Sequence, residues 1–119
     1  MTTNQYPTIS FLAMQDLQNR KDLFVIRANG DSMSPKINDG DKVTIRKVED
    51  LDCIYYGQNY LVVTKNYKMI KQIRRYTPDE DNYVILHSIN PNYDDMVISK
   101  SNILGLYVIQ HVISFKQQF

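Results

Sequence analysis

Gly30-Asp31-Ser32-Met33-Ser34-Pro35, followed after two residues by Asn38-Asp39-Gly40-Asp41-Lys42-Val43, is the stretch from which the fold of this chain can be read. A serine stands here between an apolar segment and a proline-containing turn. Gly30 lets the backbone bend, whereas Pro35 fixes φ and removes one donor, so the turn after Ser32 is stiff. A serine held this way presents its hydroxyl at the end of a strand. The backbone N–H groups of Ser32 and Met33 are then placed to receive a developing oxyanion.

Outward from this turn the chain runs in short segments rich in β-branched and aromatic residues. The predicted strands are 23–28, Lys42–Lys47, 59–64, Lys68–Arg75, Tyr83–His87, Met96–Ser99 and 103–115. Turn residues separate them, among them Tyr56-Gly57-Gln58, Lys65-Asn66-Tyr67, Thr77-Pro78-Asp79 and Asn90-Pro91-Asn92. The expected fold class is therefore all-β. Segments 59–64 and Lys68–Arg75 are close enough to form an antiparallel hairpin. Alternation along the second puts Met69, Lys71 and Ile73 on one face and Lys68, Ile70 and Gln72 on the other. Lys71 can thus be pressed among apolar neighbours, while Lys68 begins its strand beside a turn and is expected in solvent.

At 119 residues the chain is large enough for one core and too small for two. Residues 1–22 are expected to form an arm or the remnant of a linker, and 23–119 the domain. The arm holds Ile9, Phe11, Leu12, Met14 and Leu17, and its reading stays open between a short helix over 10–19 and an extended strap. Fourteen Lys and Arg against thirteen Asp and Glu leave a formal charge of +1, which creates no field to draw the chain to nucleic acid. Contact with DNA would require another segment. Nine tyrosines lack the interleaved basic residues that a base-stacking surface needs.

Cys53 is the single cysteine, so it closes no internal disulfide and builds no cysteine metal site; it reads as a small core or surface residue. His87 and His111 stand in no metal or triad spacing and are expected to be hydrogen-bonded structural residues. Asp79-Glu80-Asp81 and Asp94-Asp95 read as solvated loop charges rather than a cation site. No run of apolar residues approaches a membrane span, so a cytoplasmic protein is expected. The apolar residues Leu106, Val108 and Ile109, on what would be an edge strand, suggest a self-association surface.

Gly-Asp-Ser-Met-x-Pro, followed by Asp-Gly-Asp and an apolar strand, resembles the signature of the LexA-like serine-lysine peptidases. This family includes the C-terminal domains of phage repressors, UmuD-type polymerase accessory proteins and, more distantly, signal peptidases. The resemblance covers roughly residues 23–115. It implies short, strongly bent antiparallel sheets, with Ser32 as nucleophile and Lys71, in Met69-Ile70-Lys71-Gln72-Ile73, as the second catalytic residue. Gly30, Asp31, Pro35, Asp39, Gly40 and Asp41 fall on the family's structural motif positions. The run Ser88-Ile89-Asn90-Pro91-Asn92-Tyr93 resembles the Ser-x-Asn-Pro-x-Tyr segment of repressor-type members.

In the mechanism this resemblance implies, a desolvated and therefore neutral Lys71 takes the proton of Ser32, which attacks a peptide carbonyl. No metal or organic cofactor is called for. The implied role is a homodimeric regulatory domain that cuts a linker preceding it, under the influence of a RecA filament, and meets DNA only through an upstream helix-turn-helix domain. The family's usual Ala-Gly cleavage site is absent, since Asn29, Asp39, Tyr56 and Leu104 precede the four glycines. This leaves a second reading open, a dimerisation module that keeps the Ser/Lys pair without using it. A signal peptidase is the third reading, and it calls for a membrane anchor.

Overall fold

The computed structural model describes residues 23–114. Seven strands form one antiparallel sheet: β1 (Leu23–Arg27), β2 (Lys42–Lys47), β3 (Asn59–Val63), β4 (Lys68–Arg75), β5 (Tyr83–His87), β6 (Met96–Ser99) and β7 (Gly105–Ile113). Their order across the sheet is β1-β2-β7-β3-β4-β5-β6. Connections 3-4, 4-5 and 5-6 join neighbours, as short turns in an antiparallel sheet do. Only short 3-10 turns, Leu51–Cys53, Thr77–Asp79 and Lys100–Asn102, interrupt the β texture. Segment 10–19, read as either a short helix or an extended strap, lies outside the described residues.

The expected hairpin is present, with Tyr60 opposite Lys71 and Val62 opposite Met69. Both faces of this hairpin are covered, so alternate residues enter two hydrophobic clusters, one on each face, where the chain length suggests a single core. Tyr60, Val62, Ile73, Val84, Leu86, Ile103 and Leu106 make one core, against which Met69 packs. Leu61 and Ile70 turn the other way, against Ala28, Met33, Ile37, Val43, Ile45, Ile109 and Val112.

The last strand corrects one expectation. β7 is not an edge: it pairs with β2 on one side and β3 on the other. Leu106 and Ile109 are consequently core residues, at 1% and 3% exposure, and are not a surface for self-association. A register shift between Thr44 and Ile45 skips Gln110, the extra residue of a β-bulge. Before the bulge Tyr107 and Ile109 face one core; after it Val112, of opposite parity, faces the same core. A bulge of this kind bends a strand, and the described strands together form one antiparallel sheet of the all-β class expected.

Candidate active site

The turn from Ala28 to Lys42 is held by its own polar residues. Asp39 Oδ1 accepts from the N–H of Gly30 at 2.8 Å, and Asp41 Oδ2 accepts from that of Asn38 at 2.9 Å. Main-chain bonds from Ala28 to Asp41 and from Gly40 to Ala28 close its base. Gly30 and Gly40 adopt φ of 82° and 89°, a region open to glycine at little cost. Met33 and Ile37, nearly fully buried, plug the turn into the core. Ser32 itself stays partly exposed at the rim.

Three parts of the turn face outward chemically. Among the described residues, the Ser32 hydroxyl and the N–H groups of Ser32 and Met33 have no hydrogen-bond partner. This is the condition an oxyanion-binding pair must meet before substrate arrives. Ser32 also shares a small hollow with Ala28, Asn29, Gly30, Met33, Ile37 and Ile70, the residue before Lys71.

Lys71 projects from the middle of β4 beside Tyr60 and is only 8% exposed, whereas Lys68 at the start of the strand is exposed. Burial pushes the Lys71 amine below the ordinary lysine range, because the charged form loses its hydration. Its Nζ donates to the buried Ser88 Oγ at 2.8 Å, and the ring centroid of Tyr93 lies 5.6 Å away. The pairing of Gln72 with His87, continued by one residue, places Ser88 opposite Lys71. No hydrogen bond joins Lys71 to Ser32.

The segment from Ser88 to Tyr93 brings the two halves together. Asn90 donates its backbone N–H to the carbonyl of Ser32 at 2.9 Å and its Nδ2 to the carbonyl of Asp31 at 3.0 Å. The Tyr93 hydroxyl donates to Asp31, and this bond raises the tyrosine above its ordinary range by holding the proton against a carboxylate. Residues 32 and 71 thus lie against opposite parts of one six-residue strap. A neutral amine has two N–H donors and one lone pair. With one donor spent on Ser88, the lone pair remains for a serine proton.

Sequence reasoning placed Ser32, Lys71 and the motif residues, but gave no role to Ser88, Asn90 or Tyr93. Their spacing was visible; that Ser88 would face Lys71 depends on the β4–β5 register. The two histidines do hydrogen-bond structurally, His111 to Thr44 at 3.0 Å and His87 to Asp95 at 2.6 Å. Cys53 is exposed, the surface alternative of its two readings.

A serine turn with open N–H groups and a buried strand lysine, each tied to the segment Ser88–Tyr93, are the parts that a serine-lysine peptidase fold combines. A family model described as Peptidase S24-like matches residues 2–108, and the chain belongs to this family. The comparison with curated proteins returns no match.

Proposed function

We propose that the chain is the C-terminal regulatory and dimerisation domain of a LexA-like or phage-repressor-like cytoplasmic transcription regulator, with a Ser32/Lys71 site that cuts an upstream linker. DNA is met through a helix-turn-helix domain preceding this one, and a RecA filament is the proposed trigger. The observation that carries the peptidase part is the buried, pKa-depressed amine of Lys71 gathered with the Ser32 turn on one strap. A groove of about 600 Å³ supports it. Phe24, Ile26, Ala28, Ile45, Leu61 and Ile70 are among its lining residues, and it runs along β1 toward the turn. An extended peptide laid there would meet an apolar floor and the edge of β1 that no other described strand pairs with.

In this mechanism Lys71 takes the Ser32 proton as Oγ attacks the scissile carbonyl, and the N–H groups of Ser32 and Met33 hold the oxyanion. The lysinium then returns the proton to the leaving amine, and water hydrolyses the ester with Lys71 again as base. Since only the neutral amine serves, the rate should rise with pH and level off once Lys71 has lost its proton. The test is cleavage of the linker-bearing protein, or of an Ala-Gly peptide added to this chain, between pH 7 and 10. Ser32→Ala and Lys71→Ala should each abolish it. Cleavage that survives either change overturns the assignment.

One observation favours a second reading, a dimerisation module that keeps an unused site: Lys71 bonds Ser88 and not Ser32. That reading expects no cleavage at any pH and an unchanged oligomeric state.

A further inference from the structure

The sheet has two outer strands, and they differ in what they present. β1 borders the apolar groove, while β6 closes the far end of the sheet with Met96 and Val97 exposed at 37% and 50%. We propose that the β6 edge is a self-association surface that pairs antiparallel with β6 of a second copy about a two-fold axis at Val97. The inference rests on the homodimer reading above and names its interface.

Backbone parity selects this register. Lys100 donates to the carbonyl of Asn82 at 2.8 Å, so residues 82 and 100 form a hydrogen-bonded pair. The β5–β6 register then makes 84/98 and 86/96 the other hydrogen-bonded pairs, because such pairs alternate in an antiparallel ladder. The N–H and C=O of Asp95, Val97 and Ser99 must therefore point away from β5. Val97 has no partner for these groups among the described residues. A two-fold axis at Val97 pairs Val97 with itself and Asp95 with the copy's Ser99. All the outward-pointing groups then meet one another.

The side chains are complementary in the same register. Asp94 precedes β6 and Lys100 follows it as the first residue of a 3-10 turn, so the antiparallel pairing brings Asp94 of each copy to the same end as the other copy's Lys100 and puts opposite charges near each other at both ends. Met96 falls opposite the copy's Ile98. Ile98 lines a hollow of about 490 Å³ together with Tyr67 and Leu104, which are 64% and 70% exposed. An exposed, flexible methionine of one copy thus meets an apolar hollow of the other. A shift of the axis by one residue would lose both the hydrogen bonds and the charge pairs.

The test is sedimentation of the full chain from low to high micromolar concentration, with three changes. Val97→Pro removes an N–H that the monomer's own ladder does not use, and should weaken association by roughly a hundredfold, since two inter-copy bonds are lost by symmetry. Asp94→Lys should weaken it by roughly tenfold, and adding Lys100→Asp should restore it. Val97→Cys in a Cys53→Ser background should cross-link on mild oxidation, because a hydrogen-bonded pair holds Cα atoms about 5.5 Å apart, within disulfide range. A wild-type dimer that is unaffected by Val97→Pro and by the charge swap overturns the β6 interface and leaves the homodimer reading standing. A wild type that stays monomeric overturns both.

Discussion

Replacing Ser88 by alanine tests the arrangement of the buried amine most directly. The change deletes the acceptor of the only hydrogen bond that Nζ makes among the described residues and leaves an 8%-exposed lysine without a partner. An unsatisfied buried donor costs about 1–3 kcal/mol, toward the upper end when it is charged. Ser88 is 2% exposed, so water does not readily take the place of its hydroxyl. The cost depends on pH with a definite sign. Burial already lowers the folded-state pKa of Lys71 below its unfolded value, so in the window between the two the unfolded chain binds more protons and stability rises with pH. Ser88→Ala lowers the folded value further. The penalty should then be largest on the acid side of the window and fade as pH climbs toward the unfolded lysine value. Urea unfolding of wild type, Ser88→Ala and Lys71→Met from pH 6 to 10 reads this out. The wild-type slope should steepen in Ser88→Ala and flatten in Lys71→Met, and the ε-carbon resonance of Lys71 should titrate lower in Ser88→Ala. A loss below about 0.5 kcal/mol with an unmoved titration would refute the reasoning.

Truncating Ile73, fully buried in the core beneath Lys71, to alanine should cost about 2–5 kcal/mol in urea unfolding. Gly30→Ala meets no atom within 4 Å of the added carbon, so its cost should be backbone strain alone, about 1–2 kcal/mol, with the β-sheet circular dichroism unchanged. Asp41→Ala removes the acceptor of both the Asn38 N–H and the Ser114 hydroxyl and should lower stability by about 1–3 kcal/mol in the same assay. Asn90→Ala frees the Ser32 turn from its side-chain tie to the Asp31 carbonyl. If the proposed cleavage operates, its rate should fall by roughly a hundredfold, because small misplacements of a nucleophile are costly, while stability changes by only about 1 kcal/mol.

The strands were legible because each carries its own period and is closed by its own turn residues. Lys42–Lys47, Lys68–Arg75, Tyr83–His87 and Met96–Ser99 fall where alternation and turn chemistry place them. The burial of Lys71 and the exposure of Lys68 followed from parity within one strand. What local pattern does not contain is the order of strands. β7 looks like an edge strand because it is last in the chain and apolar, yet its residues are apolar because it lies inside, between β2 and β3. Ser88 escaped for the same reason: its meeting with Lys71 is a product of the β4–β5 register, and no motif within either strand specifies it. The Ser32 turn, by contrast, is built almost wholly from its own residues, which is why its geometry could be anticipated.

The central place of β7 bears on when the Lys71 amine becomes buried. A chain made only as far as residue 104 already holds Ser32 and Lys71, but the ladder joining β2 to β3 does not yet exist. Such a chain also lacks Leu106, part of the core that the β3–β4 hairpin carrying Lys71 packs against. The dry surround of the lysine is thus a property of the assembled sheet rather than of the hairpin that bears it.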